Sequence, residues 1–304
     1  MTSTVSASGH AQSNPQAIVL MVAAMGLFAI EDAFIKLAGQ TLGIGQCLVV
    51  LCIIGVIGFV GIALRLGDNP LPKSLFQKWV IIRTIGEVFG SVCFVSAIVL
   101  APLSTASAIL QATPLAVTLG AAIFLSEPVG WRRWTAIGVG FVGVLLIIQP
   151  GTDGFVPSAL LAVGGVIGLA LRDVATRALP VEVKTAQVAT FAYLALLPFG
   201  IGIMMLEGGW QPMTGLSGTY IIAGSLVGIV SYYAITLSLR LGEVSVVAPF
   251  RYSRLVFALV ISFLVFGEVP NAWMWVGSAI VIATGLYSFH RERVRMASQT
   301  STGA

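Results

Sequence analysis

The chain has 304 residues, of which 57% are hydrophobic and 9% charged, and its mean hydropathy is +0.99. Soluble domains carry roughly a quarter charged residues, so this composition excludes a water-soluble enzyme or binding module and points to an integral membrane protein. The formal net charge of +4 comes from basic residues spread along the chain, which marks neither a nucleic-acid site nor a lipid-specific patch.

A helix needs about 20 mostly apolar residues to cross the hydrocarbon. Ten stretches qualify: 17–37, 44–64, 79–101, 104–126, 133–149, 157–178, 185–206, 218–240, 244–267 and 272–290. The expected fold is all-α, with ten transmembrane helices. Residues 1–16 are expected as a disordered cytoplasmic tail, 17–149 as a first five-helix repeat, 150–157 as an external linker, 158–290 as a second repeat and 291–304 as a cytoplasmic tail. Met1–Gln16 has no Lys or Arg and so lacks the basic region of a signal peptide. Cys47, Cys52 and Cys93 fall inside spans, where sulfur packs as a small apolar group and no disulfide is expected.

Helix 1 ends in IEDAFIK, Ile30–Lys36, which places Glu31, Asp32 and Lys36 inside a span. Helix 3 carries Arg83 and Glu87, and helix 4 carries Gln111, Thr113 and Pro114. Helix 6 then repeats the first motif: 141 positions on stands LRDVATR, Leu171–Arg177, containing Arg172 and Asp173. At that offset Asp32 falls on Asp173, Lys36 on Arg177, Gln46 on Gln187, Ser104 on Ser245, Glu127 on Glu268 and Trp134 on Trp275. The chain reads as two copies of one unit. Helix 8 brings Ser231, Tyr232 and Tyr233, and helix 9 reads EVSVVAPFRYSRLVF, with Arg251, Tyr252 and Arg254 just after Pro249. Proline removes a backbone donor, so a kink is expected there. Glycine pairs at small-xxx-small spacing, Gly86/Gly90, Gly164/Gly168 and Gly224/Gly228, mark close helix packing. Helices 2, 5, 7 and 10 carry no charge in their middles and are expected outside as scaffold.

Basic residues favour the cytoplasmic side of short connections. Arg65, Lys73 and Lys78 flank the second, Arg132 and Arg133 the fourth, Arg177 and Lys184 the sixth, and Arg240 the eighth, while the odd-numbered connections carry none. Both termini are therefore expected in the cytoplasm. Five helices per copy make the second copy enter the membrane from the opposite side, and such inverted repeats recur in secondary transporters with the substrate near the midplane.

A charge at the centre of a span costs about 2.5–3.5 kcal/mol, so such groups face a bundle interior or an aqueous cavity. On this ground the expected substrate-binding residues are Glu31, Arg83, Glu87, Gln111, Tyr233, Arg251, Tyr252 and Arg254. Asp32, Lys36, Arg172, Asp173 and Arg177 are expected as gating or structural ion pairs, with Asp32–Lys36, Asp173–Arg177 and Arg83–Glu87 each four residues apart on one helix face. No catalytic or metal site is expected: the histidines are His10 in the tail and His290 at the end of helix 10, and no nucleophile stands with a base.

Two five-helix units, each with an acidic residue before its last helix (Ser126-Glu127-Pro128 and Gly267-Glu268-Val269) and a glycine-rich span after it, resemble the EamA-type, ten-helix branch of the drug/metabolite transporter superfamily. The first copy departs from the usual Gly-Glu by having Ser126. The resemblance implies a secondary transporter of the bacterial inner membrane with a central cavity, moving a small metabolite such as an amino acid, a nucleoside-like compound or a vitamin like riboflavin. The expected function is transport by alternating access. The substrate is expected to be zwitterionic, carboxylate-bearing or polar-aromatic, since the interior charges nearly balance. Glu31 or Glu87 could carry a coupling proton. The expected partners are this small molecule and membrane lipid, with no cofactor and no nucleic acid. A non-transporting scaffold or receptor subunit is the alternative.

Overall fold

The computed structural model describes residues 14–125, 127, 129–179 and 183–302. Most of the expected first tail, residues 1–13, lies outside them, as do Ser126 and Pro128 of the first acidic motif. Within the described residues the chain is helical throughout, with no strand.

The first element, Asn14–Arg65, is one helix broken at Gly43, where φ is 77° and ψ is 170°. Only glycine adopts this backbone without strain. The break separates two arms, α1 (14–42) and α2 (44–65). It also leaves the first N–H groups of α2 without helical acceptors, and the Glu207 carboxylate accepts those of Ile44 and Gly45 at 3.0 and 2.8 Å. A Cβ at Gly43 would stand 2.7 Å from that carboxylate.

The chain continues with α3 (Lys78–Leu100), α4 (Leu103–Phe124), α5 (Trp131–Ile148), α6 (Ala159–Arg177), α7 (Thr185–Leu206), α8 (Gly215–Leu241), α9 (Ala248–Phe266) and α10 (Ala272–Thr302). Nine elements among the described residues are long and apolar enough to cross a membrane, and the two arms of the first bring the tally to the expected ten. α10 runs past residue 291 to Thr302, so the segment expected as a tail continues the last helix.

Two helices break where the bundle has its centre. α4 interrupts at Gln111–Ala112 and restarts with Pro114 in the first turn of Thr113–Phe124. α9 begins as a 3₁₀ turn, Ala248–Tyr252, with Pro249 in its first turn, before Ser253–Phe266 continues as α-helix. The kink expected at Pro249 is there. The two breaks touch: Gln111 Nε2 donates to the Tyr252 carbonyl at 3.1 Å, and these residues are each other's repeat mates, 141 positions apart. A residue that contacts its own mate lies on the pseudo-two-fold axis.

The odd connections gather at one end of the bundle and the even ones at the other. Ser158 Oγ bonds the Leu100 carbonyl and Gln46 bonds Gln211 through both its amide atoms at the first end. At the second, Lys184 reaches Asp68, Gln187 bonds the Asn69 carbonyl, and Asn14 Oδ1 accepts from the Glu243 N–H. Gln46 and Gln187 are repeat mates, and each ties its own helix to a connection in the other copy.

Packing obeys the same symmetry. α1 lies against α8 and α3 against α6, and α5 pairs with α10. Glycine sets the close approaches. A Cβ on Gly86 would stand 2.7 Å from the Gly168 carbonyl, and one on Gly277 would stand 2.5 Å from the Gly143 carbonyl. In a bilayer, where helices gain nothing from escaping water, such backbone-to-backbone contact supplies much of the association.

Candidate functional site

α1 enters from one end and carries its polar turn, Glu31–Lys36, along the inner side of the bundle. Asp32 is buried, 3% exposed, and accepts from Arg254 of α9 at 2.6 Å from Nη2 and 3.3 Å from Nε. The Arg254 guanidinium lies over the rings of Phe28 and Phe94, at 5.1 and 5.5 Å. A weakly hydrated planar cation suits such a slot better than an ammonium would. Arg254 thereby joins α1 and α3 of the first copy to α9 of the second.

Glu31, one residue earlier, points to α8. Its carboxylate lies against Gly228, where any Cβ would collide with it. It makes no hydrogen bond or ion pair within the described residues, whereas Asp32, Glu87 and Asp173 all do.

A second cluster joins α3, α6 and α9. Glu87 bridges Arg83 at 3.3 Å and Arg172 at 3.1 Å. Arg172 also holds its neighbour Asp173 at 2.8 Å, and Asp173 faces Arg251 of α9 at 4.0 Å. Arg83 donates to Tyr232 Oη at 3.4 Å, and its Nη1 has no hydrogen-bond partner. Arg251 is the loosest member: its side chain is 36% exposed and, among the described residues, its ion pair is the 4.0 Å approach to Asp173. Tyr193 of α7, stacked near Phe59 of α2 with centroids 5.8 Å apart, stands within electrostatic reach of both Glu31 and Glu87.

Each end of the bundle carries an ion pair of one design. Lys36 Nζ donates to the carbonyls of Ile98 and Ala101 at 3.1 and 2.5 Å and lies 3.6 Å from Glu268. Glu268 also accepts from the N–H groups of Leu103 and Ser104 and from Ser104 Oγ, at 2.7–2.9 Å, at the start of α4. At the opposite end Arg177 lies 3.5 Å from Glu127. Lys36 and Arg177 are repeat mates, and so are Glu127 and Glu268, so each copy's cation meets the other copy's acid. The exposures differ. The side chains of Lys36 and Glu268 are 10% and 15% exposed, those of Arg177 and Glu127 41% and 40%. Beside Glu268 opens a vestibule of about 240 Å³, walled by Ser104, Thr105, Gln149, Asn271 and Met274 among others.

Several expectations change on this geometry. Asp32–Lys36 and Asp173–Arg177 are not intrahelical pairs: all four side chains reach across to other helices or to an adjacent residue, where better geometry is available. Arg83–Glu87 does pair along its helix. Tyr233 is 56% exposed and turned out of the bundle; Tyr232, rotated about 100° from it on the helix, is the one that meets Arg83. Tyr252 is 6% exposed, with its hydroxyl pressed on Gly285 of α10, so it packs against that helix instead of fronting the charged centre. The Gln111 amide is taken up by the Tyr252 carbonyl. Glu31, Arg83, Glu87, Arg251 and Arg254 all face the interior, together with Arg172 and Asp173.

Sequence reasoning missed Tyr193 as an interior group, took Tyr233 instead of its neighbour Tyr232 as the substrate contact, and missed the partners of Lys36 and Arg177. The last were recoverable: two cations and two acids recur at the same offset, and a two-fold relation pairs them crosswise.

Against known proteins, a family model described as the EamA-like transporter family matches residues 15–149 and again 156–288. A riboflavin transporter of Rhizobium johnstonii is 27% identical over 70% of this chain and 70% of its own length. An S-adenosylmethionine uptake transporter of Rickettsia felis is 24% identical over 76% of this chain and 77% of its own. A solved crystal structure, 18% identical, superposes with a TM-score of 0.61 over 92% of this chain and 99% of the other, and shows the same fold.

Proposed function

Because this chain belongs to the EamA-like transporter family, we propose that it carries a small organic metabolite across the inner membrane by alternating access. The observation that supports this reading best is the mirrored ion pair. Lys36–Glu268 and Arg177–Glu127 are one contact made twice by an inverted repeat, at opposite ends of the bundle, and one is buried while the other is half in water. A static scaffold has no use for two seals that differ in closure. A carrier needs them, because each must open while the other holds.

The charge bias of the connections supports an assignment of the sides. With the basic, even-numbered end in the cytoplasm, Lys36–Glu268 is the outer seal and Arg177–Glu127 the inner one. The inner pair contributes little stability, as exposed pairs are worth about 0–1 kcal/mol. Opening it therefore costs little. The outer pair is held by Ser104 and by carbonyls at the end of α3, and releasing it requires α1 and α9 to part. Rocking one copy on the other exchanges the two environments.

The interior between the seals offers carboxylates, guanidiniums and tyrosine. That chemistry fits a zwitterionic, carboxylate-bearing or polar-aromatic solute, the range to which the named solutes of the relatives also belong. Reconstitution into liposomes with radiolabelled riboflavin, S-adenosylmethionine and amino acids tests the reading. Saturable, counterflow-competent flux of at least one compound is expected, and binding without flux for every compound would show a receptor instead.

A further inference from the structure

The interior charges separate into two poles. Around α1 stand Glu31, Asp32 and Arg254, two acids against one base, an excess of one negative charge. Around α3 and α6 stand Arg83, Arg172 and Arg251 against Glu87 and Asp173, three guanidiniums against two carboxylates, an excess of one positive charge. Lys36–Glu268 is neutral by itself. These ten groups are therefore balanced, but only at a distance.

In each pole the surplus falls on the side chain with the weakest ion pairing. Asp32 and Arg254 consume each other at 2.6 Å, which leaves Glu31 without a hydrogen bond or ion pair among the described residues, its carboxylate laid against Gly228, where only a residue without a side chain leaves it room. Glu87 is shared by Arg83 and Arg172, and Asp173 is held by Arg172 at 2.8 Å. This leaves Arg251 with one ion pair among the described residues, at 4.0 Å, and a side chain 36% exposed. Arg251 and Arg254 stand three residues apart on α9, one facing Asp173 and the other holding Asp32 next to Glu31, so one helix brings a member of each pole to the same interior. Charges kept from lipid and left uncompensated are expensive, and two such groups of opposite sign in one space ask for a dipolar guest.

We infer that the substrate is a net-neutral zwitterion that sets its cationic group on Glu31 and its carboxylate on Arg251. This rests on the carrier reading and narrows it. A purely anionic solute would leave Glu31 bare and add repulsion there, a simple cation would do the same at Arg251, and an uncharged aromatic would leave both unpaired. A guanidinium can take a carboxylate through two parallel hydrogen bonds, which suits the Arg251 side.

The test is ligand-induced thermal stabilisation of the full chain in detergent, which reads binding whether or not flux occurs. The probes are the twenty common α-amino acids, the N-acetylated and the carboxyl-amidated forms of any that bind, and riboflavin. We expect an amino acid to stabilise the protein and each blocked form to bind at least tenfold more weakly. Glu31→Gln is expected to erase the penalty for N-acetylation while keeping that for amidation, and Arg251→Gln the reverse. Retention of fold by both variants is read from the unliganded melting curve, and the blocked ligands supply a signal even where the free amino acid no longer binds. Stabilisation by riboflavin but by no amino acid would overturn the inference and leave the carrier reading intact. So would a Glu31→Gln variant that binds all forms as before and loses only gradient-driven uptake, since Glu31 would then hold a proton.

Discussion

Replacing Arg254 by alanine is expected to destabilise the folded protein by about 3–5 kcal/mol, the usual cost of leaving a buried charge without its partner. Asp32 is 3% exposed and takes both of its hydrogen bonds from this one guanidinium. The truncation would strand it beside Glu31, a second carboxylate. Arg254→Lys should recover only part of the loss, because an ammonium offers neither the two-point contact nor the flat surface that Phe28 and Phe94 cover. The double variant Asp32→Asn/Arg254→Gln removes both charges and should be markedly more stable than Arg254→Ala. Unfolding midpoints in detergent give the comparison. A double variant no better than the single one would mean that lost packing, not a stranded charge, sets the cost.

Gly168→Leu is expected to abolish accumulation of folded protein in the membrane. The position lies in the α3–α6 contact, where even a Cβ would stand 2.5 Å from the Gly90 Cα and 2.8 Å from the Gly86 carbonyl oxygen. Overpacking a core costs about 1–3 kcal/mol when side chains can shift. Here the opposing atoms are backbone on both counts, so the two helices must separate, and the Glu87–Arg172 bridge that spans them at 3.1 Å must stretch with them. Gly202→Ala is the contrast, since a Cβ there has nothing within 4 Å; it should be neutral or gain about 0.5–1 kcal/mol from helix propensity. Fluorescence-detected gel filtration of the two variants separates these outcomes. Equal monodisperse yields would show that the glycine contact can relax.

The fold was legible in the sequence because a bilayer imposes a coarse rule on every residue: apolar runs of fixed length, charges turned inward and basic connections on one side. The repeat was legible for a similar reason, since IEDAFIK and LRDVATR keep an acid and a base at one offset. The rotational placement of single side chains was not. Tyr232 and Tyr233 are adjacent, and nothing in composition says which of them turns inward; α8 packs on α1 through Gly224 and Gly228, and that contact fixes the rotation. The ion pairs were misread because spacing along one helix reports only neighbours on that helix, whereas Asp32 and Lys36 find theirs on α9 and in the connection after it. Tyr193 was missed because α7 carries no charge and so gave no sign that any of it reaches the centre.

Alternating access requires the two mirrored seals to open in turn. Spin labels at exposed Gln40 and Val269 flank the Lys36–Glu268 contact, and labels at exposed Arg132 and Thr176 flank Arg177–Glu127; both pairs are placed in a chain whose Cys47, Cys52 and Cys93 are replaced by alanine. Pulsed dipolar distances are then measured in liposomes with and without the compound found to be carried. One distance is expected to lengthen as the other shortens. Two distances that rise or fall together, or that stay fixed while flux proceeds, would contradict it.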